Sequence, residues 1–324
     1  MSPLVLSALA GIVLAVNGQH HDGQGQTVSY INITGSDITV ENYRIVDSGA
    51  GTNAVSVWGD RNTLRNLQIE RSGATGVYFV RGDGHVLEDS VIRDPVTRQG
   101  QDSWGISSDA ATNLTVRNNT VHGSGYTQWN PVSVGTRILN NTFVIPDDYR
   151  TDCKGNPQAN GPCQCGEFGV AIKGGDGGQI IGNVISGYRK SDAVCGGSGS
   201  PGTGIATSAC APFETCDTKH WLIQGNLITD SHYGIYHGVR VDDVQIIGNR
   251  FCRNDYAISD GFSINSVIRD NKFADNGRNV HIYNFHRVDV SGKRSVRRRE
   301  VAEVCAPTGS GSPRARSNGG AAPP

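Results

Sequence analysis

The stretch GIYHGVRVDDVQIIGNRF, residues 234–251, holds three apolar positions that recur along most of the chain: Ile235, Ile246 and Phe251. The pair Ile246 and Phe251 decides the architecture. A straight strand turns alternate side chains to opposite faces, so residues five apart point away from each other. Both are apolar here. So are the equivalent pairs Val40 and Ile45, Leu64 and Ile69, Leu87 and Ile92, Val116 and Val121, Ile138 and Phe143, Ile180 and Ile185, Ile223 and Ile228, and Ile268 and Phe273. A corner between the two members brings both to one interior. The simplest pairs follow each other every 22 to 24 residues, the period of a stacked coil, and the longer intervals are the same coil with insertions.

A second apolar file follows the pattern [Gly/Ala/Asn]-[Ile/Val] at Val55, Val77, Ile106, Val170, Ile205, Ile235, Ile258 and Val280, and Val132, which follows Pro131, is assigned to the same file. Each coil therefore has at least two short strands, and about nine coils at the ~4.8 Å strand spacing make a thin rod about 40 Å long. An Asn column runs beside the first file, three residues before its closing member in early coils (Asn42, Asn66, Asp89) and two before it in late ones (Asn183, Asn226, Asn249, Asn271). We read this as a corner that shifts midway, lined by amides that hydrogen-bond each other along the rod. Leucine-rich repeats share the spacing, but the files are mostly Ile and Val and the chain holds 43 Gly, which favours β-branched strands and turns over helix. The expected fold is all-β, a parallel β-helix over residues 19–286.

Strings such as GVAIKGGDGGQIIGNVI (169–185) and GIYHGVRVDDVQIIGNRF resemble the rungs of the pectin-lyase-like superfamily, and the resemblance extends over about residues 30–285. It implies a right-handed coil and a carbohydrate substrate. The order Glu167, Lys173, Asn183 is similar to that in polysaccharide lyases of the alginate lyase and chondroitinase B type. The chain departs from that pattern at Gly174, where the family has Ser, and near Thr207 and Ser208, where its partner Arg is missing.

A net charge of −1 gives no reason to expect nucleic acid or an anionic membrane as partner. Residues 1–18 begin with an apolar run too short for a comfortable membrane span, which reads as a signal peptide or as an apolar cap on the first coil. Residues 287–324 are expected to form a tail, basic at Lys293, Arg294 and Arg297 to Arg299 and then disordered. Six of eight cysteines crowd between Cys153 and Cys216, and four glycosylation sequons start at Asn32, Asn113, Asn118 and Asn140. Both features fit a secreted protein with disulfides. Cys163-x-Cys165 lacks the spacing of a zinc site, so no metal ligand set is expected; no cofactor is expected either, calcium being the one cation left open. The chain reads as a monomer.

Insertions leave the rod at one corner. From first to second file the simplest coils take seven residues (Ile228 to Ile235), whereas four consecutive coils take 14, 11, 27 and 20 (Ile92 to Ile106, Val121 to Val132, Phe143 to Val170, Ile185 to Ile205). The insertions, 93–104, 122–131, 144–167 and 186–203, form a wall beside the outer face of the second file, and long loops of this kind carry function. Counting outward from that file gives Asp109, Gly135 and Lys173, with Gly135 leaving room for a sugar ring between two charged groups. The wall supplies Trp104, Tyr126, Trp129 and Tyr149 as flat faces and Arg150 and Arg189 as cations, the mixture a polysaccharide groove uses. A lyase acting on uronic-acid chains neutralises the sugar carboxylate and removes the adjacent proton. Lys173 is the candidate base, Glu167 and Asp109 complete the catalytic set, and Arg150 or Arg189 clamps the carboxylate.

Two other classes compete with the lyase. A glycoside hydrolase would use two carboxyl groups roughly 5 to 9.5 Å apart from among Asp102, Asp109, Asp147, Asp148 and Glu167. The polygalacturonase signatures Asn-Thr-Asp and Gly-His-Gly, and the Asp-Pro-His of β-helix epimerases, are absent. A noncatalytic glycan-binding surface protein is the third class. Inside the rod, His237 and Asp260 fall on adjacent coils and are expected to pair as a structural polar core.

Overall fold

The structure is a computed structural model that describes residues 10–46, 48–49, 51–70, 74–93, 104–130, 132–145, 168–189, 202–208, 217–261, 263–283, 288–296 and 300–306. Three parallel sheets of 11 strands each run its length, and a fourth of four strands joins them in the later coils. We call the long sheets A (first strand Ile12–Leu14), B (His20–Asp22) and C (Thr27–Val28), and the short one D (Gly175–Asp176). Each coil visits A, B and C in turn and pairs with the coil before and after it. Among the described residues the rod therefore has 11 coils, two more than the nine expected.

The additional coils lie at the two ends. Ile12–Leu14 pairs with Ile31–Ile33 and so forms the first strand of sheet A. At the other end Asp289–Ser291 and Arg294–Ser295 complete the last coil, in the region expected to be a tail. These coils escaped the pattern because His21 and Ser295 stand where their neighbours carry apolar residues. A short helix, Val301–Cys305, then folds back on the outer face of sheet C. Val304 packs there with Leu227, Cys252 and Ala274, and a Cys252–Cys305 disulfide closes the contact across 53 residues. The cysteines between Cys153 and Cys216 and the residues beyond 306 lie outside the described residues.

The corner between sheets B and C does not shift. It has two columns throughout. The first takes left-handed backbone, with φ of 60° at Asn42, 50° at Asn66, 56° at Asn118 and 55° at Asn140, then Gly182 at 68°. Asn, Asp and Gly are the residues that tolerate this region. In the nine coils between the two end ones the next residue turns inward, as Tyr43, Leu67 and Ser90 in the early coils and then as a buried ladder of amides. Asn119 Nδ2 donates to Asn141 Oδ1 at 3.0 Å, Asn141 to Asn183 at 3.1 Å, Asn183 to Asn226 at 3.0 Å, Asn226 to Asn249 at 3.0 Å, and Asn249 to Asn271 at 3.1 Å. Two adjacent positions with different requirements had looked like one moving column.

Sheet A differs from the expectation in one coil. Ile106 pairs with Tyr126, and Tyr126 with Val170, so Tyr126–Gln128 is the strand there and Val132 is not part of the file. Val132 and Val134 are 57% and 47% exposed, whereas Tyr126 is fully buried. The extra length of this coil therefore leaves after sheet A, between Gln128 and Thr136. Gln128 ties that corner from inside, donating to Gly174 O at 2.7 Å and accepting from Thr136 Oγ1 at 2.9 Å.

Entry to sheet A is controlled by a column of Gly. A Cβ on Gly125 would stand 1.9 Å from Gly169 O, one on Gly169 2.6 Å from Gly204 O, and one on Gly204 2.6 Å from Gly234 O. The chain kinks through this bare backbone, and the residue before each Gly emerges on the outer face of the sheet. That file includes Trp104, Phe168 and Tyr233.

Candidate functional site

Outer-face residues of the early and middle coils enclose a recess of about 260 Å³ lined by Asn53, Thr75, Tyr78, Trp104, Ser107 and Trp129. Each position follows from the register. Asn53, Thr75 and Trp104 each stand two residues before a sheet-A apolar residue, and Tyr78 and Ser107 are paired outward residues of adjacent strands. The indole of Trp104 is only 3% exposed, stacks on Phe168 (6.1 Å between centroids, 14° between planes) and meets Trp129 edge-on at 6.1 Å and 84°. Its Nε1 is buried and has no hydrogen-bond partner among the described residues. Asn53 fixes the rim, accepting from Thr75 N at 3.2 Å and donating to Ser56 Oγ at 3.3 Å. Burial raises the Tyr78 phenol above its ordinary range, and the charge of Asp109 adds to this, so Tyr78 stays a neutral donor and acceptor.

Lys173 lies on the same face, with Nζ 3.4 Å from the centroid of the Trp129 ring. The reason is register: Gln128 pairs with Ile172, so the next residues, Trp129 and Lys173, are neighbours. By the same count Asp109 is one rung to the other side of Trp129, since Ser108 pairs with Gln128. The rung between Asp109 and Lys173 is thus filled by an indole and not left open by Gly135. Asn130 Nδ2 is 3.3 Å from Asp109 Oδ1. The misplacement of Val132 caused this error, since it moved every outward position of that coil by six residues.

The other expected site residues divide. Trp104 and Trp129 line the recess. Tyr126 belongs to the core and has no surface to offer a ligand. Arg189 sits at the turn from sheet C to sheet A three coils beyond Trp104, where it donates to the Arg253 carbonyl and pairs with Asp255 at 3.3 Å. Tyr188 anchors it there by donating to Gly123 O at 2.8 Å. Glu167, Tyr149 and Arg150 lie outside the described residues, as do Asp102, Asp147 and Asp148. His237 and Asp260 are fully buried on paired strands, with Nδ1 3.4 Å from Oδ2. Burial pushes the Asp260 carboxyl up, but contacts from His237 and Ser263 outweigh it and hold the group below its usual range.

Tyr78, which lines the recess, was missed because the outward count covered only the coils with insertions and began three residues past the file, whereas Tyr78 stands one past Val77. The [aromatic]-Gly-[apolar] triplets Trp104-Gly-Ile106, Phe168-Gly-Val170 and Tyr233-Gly-Ile235 were a further signal, as each marks a ring on the outer face. Among the described residues no three His, Cys, Asp or Glu side chains converge as a metal site requires, and no helix is long and apolar enough to cross a membrane.

A family model described as a right handed beta helix region matches residues 53–145. No curated protein matches the chain. Among solved structures the chain is similar to PfbA, a surface adhesin of Streptococcus pneumoniae, at 14% identity over 88% of this chain and 76% of that one, with a TM-score of 0.60. It is also similar to alginate lyase AlyF-OU02, solved in complex with G6, at 14% identity over 87% of this chain and 58% of that one, with a TM-score of 0.50. At such identity the likeness is one of fold. That fold is the right-handed parallel β-helix.

Proposed function

We propose that this chain is an extracellular protein that holds an acidic, uronate-containing polysaccharide against the outer face of sheet A. The observation that carries the reading is the recess bounded by Tyr78, Trp104 and Trp129 with Lys173 at its flank. A sugar ring has an apolar C–H face and a polar rim. Flat rings beside Asn53, Thr75 and Ser107 match the two, in the mixture of apolar walls and few polar groups that binding sites use. Lys173 supplies the charge for a carboxylate. The Cys252–Cys305 disulfide suits an oxidising compartment.

β-Elimination is the second reading, and the position of Lys173 favours it, because a fixed cation beside the sugar carboxylate acidifies the adjacent C–H. An indole face stabilises the ammonium form, so Lys173 fits the carboxylate-neutralising role better than that of the base, which has to be neutral to accept a proton. Oligomers of alginate, polygalacturonate and chondroitin titrated against tryptophan fluorescence test the binding, and ultraviolet absorbance of an unsaturated product tests elimination in the same samples. Native protein is expected to respond to at least one uronate polymer, and Trp129→Ala to lose the response while keeping its circular dichroism. Native protein silent to all three, or an undiminished Trp129→Ala, refutes the proposal.

A further inference from the structure

A second aromatic group stands on the same outer face, beyond the recess. In the last three coils Tyr233, Tyr236, Tyr256 and His281 form a continuous run, with centroids 5.3 Å apart for Tyr233 and Tyr236, 5.2 Å for Tyr233 and Tyr256, and 5.6 Å for Tyr256 and His281. Tyr283, 51% exposed, extends it at 4.1 Å from His281. The core of these coils is already filled by Ile235, Ile258 and their neighbours, so the interior does not require the rings. They are half-buried by one another and present their outer sides to solvent.

Shape and charge identify the occupant. The strip is two rings wide and three rungs tall, about 15 Å, whereas a stable protein interface buries about 800 Å² on each partner. A linear polymer fits a narrow file that repeats with the coil. The exposed Arg278 guanidinium lies 5.6 Å from the Tyr256 ring centroid and 3.5 Å from His281 Nε2, and no carboxylate pairs with it among the described residues. On the flank, by contrast, Asp255 is taken up by Arg189 and His232. The rim of the strip is therefore cationic.

The strip lies further along the same face, beyond rungs whose outward residues Thr127, Ala171 and Ala206 are buried. Trp104 and Tyr233 hold equivalent places in their coils, four rungs or about 19 Å apart, and Phe168, stacked on Trp104, occupies the same file between them. We propose that the strip of Tyr233, Tyr236, Tyr256 and His281, with Arg278 at its rim, is a second docking platform on which an acidic polysaccharide lies after it leaves the recess. The inference rests on the proposed function and adds a length requirement to it: a short oligomer reaches one platform and a long one reaches both.

Calorimetric titration of the full chain with a tetramer and a dodecamer of alginate or polygalacturonate tests this. Two linked contacts raise affinity through effective concentration. The dodecamer is therefore expected to bind native protein at least about tenfold more tightly than the tetramer. The double variant Tyr233→Ala with Tyr256→Ala is expected to lose that advantage while its tetramer affinity stays native, which also reports that it is folded. Arg278→Ala, at an exposed position, is expected to reduce the advantage while tetramer affinity stays native. Dodecamer affinities equal to native in both variants overturn the platform and leave the recess standing. Native protein that binds neither oligomer overturns the glycan reading, and the platform with it.

Discussion

Replacing Asn183 by Ala removes the middle link of the amide ladder, and the structure says what is stranded. Asn183 Oδ1 accepts from Asn141 N at 2.8 Å and from Asn141 Nδ2 at 3.1 Å, while Asn183 Nδ2 donates to Ile138 O at 2.8 Å and to Asn226 Oδ1 at 3.0 Å. Asn141 Nδ2 keeps Val116 O, and Asn226 Oδ1 keeps the Asn183 backbone N–H. The Asn141 N–H and the Ile138 carbonyl lose their ladder partner inside a fully buried corner. Each such group costs about 1–3 kcal/mol, so Asn183→Ala is expected to destabilise the rod by about 2–6 kcal/mol. Asn140→Gly is the control, since it alters the exposed left-handed position one coil earlier, where Gly182 already serves in the next coil. That change is expected to stay within about 0.5 kcal/mol. Urea unfolding followed by circular dichroism measures both. An Asn183→Ala shift below about 0.5 kcal/mol, or one no larger than the control, refutes the claim that the ladder satisfies buried amides at a cost worth keeping.

Gly169→Ala places a methyl 2.5 Å from Ile185 Cγ2 and 2.6 Å from Gly204 O, and since backbone cannot yield, a loss of about 1–3 kcal/mol is expected in thermal melting. Cys252→Ser opens a closed loop of 53 residues, so hydrogen exchange at Val301–Cys305 is expected to rise to that of unprotected chain while the ladder corner stays protected; unchanged protection contradicts the stapling role. The His220 imidazole is raised above its ordinary value, first by its 2.6 Å hydrogen bond with Asp176 and then by the charges of Asp176, Asp243 and Asp242. Its contribution to stability is then fully present below the unfolded value of about 6.5 and lost as pH rises through the higher folded value. The difference in melting temperature between native protein and His220→Asn is expected to shrink above that point, and a difference constant from pH 6 to 9 excludes the linkage.

The legible part of this fold was its apolar period, because stacking makes every coil bury the same positions. Val40 with Ile45 and Ile246 with Phe251 could be paired across a corner without any coordinates. The illegible part was local. Tyr126 is inside although it carries a hydroxyl, and its signal was the Gly125 before it, which has no room for a Cβ. Val132 is apolar but follows Pro131 and not Gly, Ala or Asn, so it departs from the pattern, and it stands in an exposed connection. That single slip moved the outward count, replaced Trp129 by Gly135 and opened a gap that an indole fills. The chain ends were missed for the opposite reason, since His21 and Ser295 occupy file positions next to solvent, where a coil has neighbours on one side only. Two adjacent corner positions were merged into one because Asn serves both, as an amide in the ladder and as a residue that accepts positive φ.

The Gly column at the entry to sheet A uncouples the surface file from the interior. A residue such as Trp104, Thr203 or Tyr233 leaves the rod just before bare backbone, so its identity is set by what lies outside and little by the packing within. Successive coils then act as letters written at constant pitch, each open to replacement alone. Exchanges in coils that do not touch should combine additively in affinity, as independent sites do, and a scaffold of this kind can acquire a new ligand preference one coil at a time without being refolded.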